Sequence, residues 1–330
     1  MRETARPFRK LVALLALFGL SGCSGRQSAL DPAGKHADEL ASLFWIMLVS
    51  TGVIWLLVIF AAFTAVKFQP QAFRWLRPGM FILLCGVILP TISLGGLLIY
   101  ALQLLPGART SAAEMTVKVS GEQWWWRVQY QGPEGKHIDS ANEIRIPVEA
   151  SVYFELTSPD VIHSFWIPAL GGKLDMIPGR TNRLHLIPTK PGTYRGVCAE
   201  YCGTAHALMA FPVIVQTQSE FDLWLKLEAS DAVRPGSPSA VKGENMFMET
   251  GCTACHTIRG TQARGEIGPD LTHFGTRQSI GAGILPNTSE NLEKWLRETG
   301  KLKPAVRMPE FGMLDQSEIG DLAVYLTGLK

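Results

Sequence analysis

Two stretches of this 330-residue chain contain no charged residue at all: LFWIMLVSTGVIWLLVIFAAFTAV, 43–66, and MFILLCGVILPTISLGGLLIYALQLL, 80–105. At about 1.5 Å per residue, each is long enough to cross a hydrocarbon core about 30 Å thick. The connection between them has Lys67, Arg74 and Arg77 but no acid, so by the positive-inside rule it faces the cytoplasm. Cysteine is also scarce. Of six, Cys85 lies inside the second apolar run and Cys23 stands near the start, which leaves Cys198, Cys202, Cys252 and Cys255 for chemistry. The net charge is only +2 and the basic residues are dispersed, so nothing in the chain points to nucleic acid.

The chain opens with MRETARPFRKLVALLALFGLSG, 1–22: basic residues, a short apolar run, then small residues. This is the pattern of a secretory signal, too short and wrongly flanked to be a span. The following Cys23, in LSGC, resembles the bacterial lipobox, which implies cleavage and lipid attachment at Cys23. An exported N-terminus demands the same orientation as the basic connection. A transmembrane hairpin over 40–106 in a bacterial inner membrane is therefore expected, with everything after about residue 106 on the outer, extracytoplasmic face. Pro90 and the Gly95-Gly96 pair are expected to bend or loosen the second span. The remaining tail is long enough for two small domains.

Residues 114–216 carry strand signals. MTVKVS, EIRIPV, SVYFEL, RLHLIP and FPVIVQ alternate or cluster β-branched and aromatic residues between Gly, Pro and Asn turns. A β-sandwich or small barrel follows. Its polar chemistry converges at two places: SPDVIHSFWIP, which supplies His163, and RGVCAEYCGTAHALMAFPV, which supplies Cys198, Cys202, His206 and Met209. Thiolate and thioether sulfur favour copper or another soft ion, and imidazole suits several transition metals. Two thiolates can bridge a pair of copper ions with one histidine on each, leaving weak positions for Met209 and for a backbone carbonyl such as that of Glu200. A Cys198–Cys202 disulfide, a dithiol copper carrier and structural zinc are the competing readings; none of them uses Met209.

The spacing of these residues resembles subunit II of the haem–copper cytochrome c oxidases. The family pattern, a histidine followed far downstream by C-x-E-x-C-x-x-x-H-x-x-M, is met by His163, Cys198, Glu200, Cys202, His206 and Met209. The resemblance covers roughly 40–216. It implies two transmembrane helices and a cupredoxin-like, all-β Greek-key domain over 114–216 that carries the dinuclear copper A centre. It further implies that the Glu200 carboxylate reaches a magnesium or manganese ion shared with subunit I, and that Asp175 lies at the same subunit interface. Trp124, in GEQWWWRVQY, matches the tryptophan through which the family admits electrons to copper A. Strand alternation predicts that Trp124 and Trp126 share a face and that Trp125 opposes them. One departure is that VKFQPQAFRWLRPG, ahead of the second span, has no glutamate, where family members place one at the mouth of a proton path.

A Pro-, Ser- and Gly-rich stretch, 227–243, reads as a semi-flexible tether. Beyond it GCTACHTI contains C-x-x-C-H, which attaches c-type haem through Cys252 and Cys255 with His256 as the proximal iron ligand. ENLEKWLRETG reads as a helix. So does the C-terminal stretch, where Asp315 and Glu318 form a capping signal and Ile319, Leu322, Ala323 and Leu326 repeat with helical period. Met308, in a loop before proline, is the expected second axial ligand, with Met313 as competitor; the Pro269 carbonyl is expected to orient His256. Residues 241–330 thus resemble an all-α class I cytochrome c, and a copper A subunit fused to one is the caa3-type arrangement.

The expected function is electron relay within a terminal oxidase. Cytochrome c or another membrane-associated donor reduces the haem, and copper A receives the electron and passes it to haem in subunit I. There oxygen is reduced to water with proton translocation, and subunit III is a further expected partner. Two alternatives stay open at this stage: the copper A subunit of a nitric oxide reductase, and a membrane-bound copper carrier for oxidase assembly.

Overall fold

The computed structural model describes residues 24–68, 78–104, 115–132 and 135–330. The signal segment, Cys23 and most of the acid-free stretch before the second span lie outside the described residues.

Residues 38–111 form a unit of their own. Helix α1 (Lys35–Phe68) contains the whole of the first expected span. The second span is one helical run in three pieces: α2 (Pro78–Leu83), a π-helical turn over Leu84–Ile88, and α3 (Leu89–Gln103). Pro90 accounts for the wide turn. Proline has no N–H to bond back one turn, and its ring crowds the carbonyl four residues before it. The chain relieves this by letting the Leu89 N–H reach the Leu84 carbonyl, an i to i+5 bond. Gly95 and Gly96, by contrast, sit inside α3 without interrupting it. The apolar side chains of both helices point outward, Trp55 being 61% and Phe60 65% exposed, which is the surface a lipid phase covers.

The other unit begins with two five-stranded sheets. Their strands are β1 (Met115–Glu122), β2 (Trp125–Gln131), β3 (His137–Ala141), β4 (Ile144–Pro147), β5 (Val152–Thr157), β6 (His163–Trp166), β7 (Leu174–Met176), β8 (Asn182–Leu186), β9 (Gly192–Cys198) and β10 (Ala210–Gln216). One sheet runs β3-β2-β1-β5-β8 and the other β4-β10-β9-β6-β7. Each contains one parallel pair, β1 with β5 and β4 with β10. Strand alternation sends Val117, Val119, Val128, Phe154, Phe165 and Phe211 into a shared core. Trp126 stands at its centre, its ring 4.9 Å from Phe211 and 5.9 Å from Phe165, centroid to centroid. Strand β9, GTYRGVC, carries no clear period-two signal because Gly196 faces a side chain. A Cβ there would fall inside the Phe211 ring, so only glycine lets β9 lie beneath it.

Five helices follow. They are α4 (Gln218–Glu228), α5 (Pro238–Glu249), α6 (Ser289–Arg297), the short α7 (Thr299–Leu302) and α8 (Gln316–Gly328). Thr217 and Glu220 close a capping box on α4, and Asp315 and Glu318 close the expected one on α8. Ile319, Leu322, Ala323 and Leu326 are all buried, packed with Phe247, Ile258 and Trp295 into a second core. The irregular connection between α4 and α5 is residues 229–237, shorter than the composition predicts, because Ser237 caps α5 and Pro238 occupies its first turn. It is also held in place. The Ala232 N–H donates to the Arg259 carbonyl (3.0 Å), and His273 Nε2 donates to the Ser230 carbonyl (3.1 Å). A composition suited to a tether is here pinned to the domain it leads into.

Gly196→Ala is expected to destabilise this unit by roughly 1–3 kcal/mol through overpacking against Phe211. Thermal unfolding of the variant checks this, and a wild-type midpoint contradicts the packing assignment.

Candidate metal and haem sites

Strands β9 and β10 are antiparallel neighbours, and the end of β9 with the loop between them carries five of the six expected donors, the Glu200 carbonyl included. Cys198 ends β9, Cys202 follows a turn, His206 opens a 3-10 turn, and Met209 immediately precedes β10. The loop folds back because the Cys198 N–H donates to the Met209 carbonyl at 2.9 Å. His163 arrives from β6, whose Phe165 pairs with Cys198. Its ring lies against Gly121, where a Cβ would come within about 3.0 Å.

All six expected donors meet. The two thiols are free, with Cys198 Sγ and Cys202 Sγ 3.8 Å apart. His163 Nδ1 is 3.8 Å from Cys198 Sγ, and His206 Nδ1 is 3.5 Å from Cys202 Sγ. Met209 Sδ stands 3.9 Å from Cys202 Sγ and the Glu200 carbonyl 3.2 Å from Cys198 Sγ. Among the described residues, the ligand atoms of His163, Cys198 and Cys202 all lie within 4.8 Å of one another. Each sulfur therefore has one imidazole and one weak donor beside it, and this soft donor set fits copper. His163, Cys198, Cys202 and Met209 are buried, which keeps water from competing.

The electrostatics set the two thiols apart. The Cys202 thiol beside Cys198 pulls the Cys198 thiol down to about 3 against the effect of burial, with help from His163. Cys202 moves the opposite way, because the same neighbour and burial both hold its proton. Burial pushes His163 down, but its contacts with Cys198 and Asp160 outweigh that and raise it. Asp160 is a site residue that the sequence reading missed. Its Oδ1 accepts from His163 Nε2 at 3.0 Å, which turns Nδ1 toward the sulfurs. Partial burial pushes the Asp160 carboxyl up, yet hydrogen bonds from His163, Val161 and Gln123 win and hold it down. The signal was present in SPDVIH, three residues ahead of the histidine.

Trp124 is not in a strand. β1 and β2 turn through Gln123 and Trp124, so the expected pairing of Trp124 with Trp126 on one strand face gives way to a hairpin end. Trp125 and Trp126 do alternate, half-buried and fully buried. The Trp124 indole N–H donates to the Cys202 carbonyl at 2.9 Å, and its ring is only 6% exposed. Asp175 is about half exposed and stands 4.0 Å from Lys173, and the Glu200 carboxylate accepts from the Tyr201 N–H. Among the described residues these two carboxylates form no metal cluster with each other.

The second site is a cavity of about 390 Å³ lined by Cys252, Cys255, His256 and Met308, with Phe274 and Leu322 among its apolar walls. His256 Nδ1 donates to the Pro269 carbonyl at 2.8 Å, which leaves Nε2 as the free ligand atom. Burial pushes this imidazole down, toward the neutral form that binds iron. Met313 is 78% exposed and is not on the cavity wall. Arg277, also on the wall, is buried with no partner for its Nε, and would meet an anionic group such as a haem propionate. Apolar walls, two free thiols, an oriented imidazole, a thioether and a buried cation fit a c-type haem. Trp124 and Trp125 line the same cavity.

Two outcomes follow. Copper affinity is expected to weaken by at least about tenfold from pH 7 to pH 5, since the Cys202 thiol and His163 must shed protons to bind. Competition against a chromophoric chelator measures this, and a pH-independent affinity contradicts it. Met308→Ala is expected to lower the haem potential and remove the thioether ligand's spectral signature, while Met313→Ala leaves both unchanged; equal effects contradict the assignment.

Comparison with known proteins finds relatives for both domains. Residues 132–218 match the family described as cytochrome c oxidase subunit II, periplasmic domain, and residues 240–330 match cytochrome c. The chain is 35% identical to cytochrome c oxidase subunit 2 of Alkalihalophilus pseudofirmus, covering 99% of this chain and 98% of the relative. It is 31% identical to that of Bacillus subtilis, covering 97% and 98%. A solved structure of the periplasmic domain of subunit II from Bradyrhizobium japonicum is 33% identical over 36% of this chain and 96% of that one, with a TM-score of 0.34. The chain belongs to the cytochrome c oxidase subunit 2 family, as an electron-transfer subunit of a haem–copper respiratory oxidase in which copper-binding and cytochrome c domains are joined in the caa3-type arrangement.

Proposed function

We propose that this chain holds both electron carriers of its subunit at the residues described. His163, Cys198, the Glu200 carbonyl, Cys202, His206 and Met209 would hold the copper pair, Cys252 and Cys255 would bind haem covalently, and His256 and Met308 would ligate its iron. When bound, the haem and the copper pair supply one-electron chemistry, which here would run from a donor to haem c, to copper and on to haem in subunit I. The observation that carries this reading is the position of Trp124: its indole is hydrogen-bonded to the copper loop while its side chain lines the haem cavity.

The chain's own residues have three tasks. Asp160 and the Pro269 carbonyl each fix one imidazole so that the opposite ring nitrogen faces the metal position. Trp126, Phe165 and Phe211 keep the copper loop on a dry core. Trp124 bridges the two sites. Because Trp124 is nearly inaccessible, it would serve the chain's own haem rather than an external cytochrome. Glu200 and Asp175 would meet a magnesium or manganese ion only with groups from subunit I, in keeping with their partial exposure. Lipid at Cys23, a subunit III partner and a cytochrome c donor belong to the same reading, on sequence grounds.

The test is metal and haem content with spectroscopy on the purified complex. Two coppers and one covalent haem per chain are expected, with one unpaired electron shared equally by both copper nuclei. A single copper per chain, or a sharing signal that persists when Cys198 and Cys202 are both serine, overturns the assignment.

A further inference from the structure

Lys303 is among the largest fully buried side chains of the protein, 2% exposed. A lysine in that position is costly unless every proton on its ammonium has an acceptor. Here each does. Nζ donates to the Trp124 carbonyl at 2.6 Å, to the Leu208 carbonyl at 2.9 Å and to the Gly281 carbonyl at 2.7 Å. Lys303 belongs to the haem domain, at the C-cap of α7 and five residues before Met308. Trp124 and Leu208 belong to the copper domain. Trp124 is bonded to the Cys202 carbonyl, and Leu208 immediately precedes Met209. One side chain thus reaches out from the Met308 loop and ties down both edges of the copper site.

Other contacts cross the same seam, and Arg127 among them lies at its rim. The Ala210 N–H donates to the Ala282 carbonyl at 3.0 Å, and the Gln278 N–H donates to Glu143 Oε2 at 2.8 Å. Arg127 donates to the Glu266 carbonyl at 2.9 Å from a partly exposed position at the rim. A rim contact of this kind exchanges readily with water, whereas a buried ammonium that loses its acceptors has no water to replace them. Lys303 also sits beside the haem cavity, whose wall it shares with Trp124 and Met308.

Resting on the copper-and-haem reading above, we infer that Lys303 is a positioning residue for electron transfer: it latches the haem domain onto the copper domain by capturing the Trp124 and Leu208 carbonyls, and so fixes the spacing between the two centres. Removing it leaves the Trp124, Leu208 and Gly281 carbonyls without this donor, the first of them in a buried contact and the other two in partly buried ones. It also leaves the seam to contacts such as those of Ala210, Gln278 and Arg127, none of which touches the Trp124 or Leu208 carbonyl.

The experiment compares Lys303→Met and Lys303→Gln with the wild type in the intact oxidase complex, loaded with copper and haem. Flash photoreduction of the haem is followed by absorbance at the copper centre. In Lys303→Met, haem-to-copper transfer is expected to slow by about tenfold or more, as expected when a buried charged contact is truncated. Both centres should keep wild-type spectra and potentials. Lys303→Gln, with two donors on its amide, should fall between. Hydrogen exchange at the Ala210 and Gln278 amides, which cross the seam, should accelerate in Lys303→Met while the amides of β1 and β5 do not. A transfer rate within twofold of wild type in both loaded variants overturns the proposal, as does loss of copper or haem loading in both, which assigns Lys303 to folding alone. Unchanged spectra with an unchanged rate would sink Lys303 and leave the copper-and-haem reading intact.

Discussion

The hydrogen bond from the Cys198 N–H to the Met209 carbonyl closes the loop on which the copper site depends. It is the last rung of the β9–β10 ladder before the two strands part. Everything between the two residues must then fold within a short arc, and that arc places two sulfurs, an imidazole and a thioether around a single point. The spacing C-x-E-x-C-x-x-x-H-x-x-M is what such an arc requires when its ends are held one strand-width apart. His163 completes the set because β6 pairs with β9 at Cys198. The glycine in β9 has the same origin, since the strand can carry the loop in this register only if Phe211 can lie on it.

From that loop the constraint extends into the haem domain. Trp124 reaches the Cys202 carbonyl from the β1–β2 turn, and this turn is also part of the haem cavity wall. Trp124 is buried where the two domains meet. The connection between the two domains has the composition of a flexible linker, yet its backbone is bonded to Arg259 and His273. The contacts of Lys303, Ala210 and Gln278 across the seam hold the fused domain beside the copper loop.

Much of this was legible from the residues. The charge-free runs, the strand alternation of MTVKVS and SVYFEL, the copper and haem motifs and the α8 capping box all express local rules, and each is found where those rules put it. Met308 could be preferred over Met313 from its place before a proline, and it is Met308 that lines the cavity while Met313 is exposed. What escaped notice depends on contacts between distant residues. β9 was hidden because Gly196 answers to Phe211, and the hairpin end at Trp124 because three adjacent tryptophans read as a strand. Lys303 left no trace, since a lysine in KLKPAV looks like any surface lysine until two domains close over it. The α4 capping box, Thr217 with Glu220, was readable and was passed over.

The central claim is that haem and copper sites are fixed against each other in one body, with Trp124 between them. The viscosity dependence of haem-to-copper electron transfer in the wild-type complex tests it most directly. A fixed arrangement predicts a rate that stays constant as solvent viscosity is raised. A rate that falls in proportion to viscosity would mean the haem domain must diffuse to its partner on each transfer, and would contradict the account.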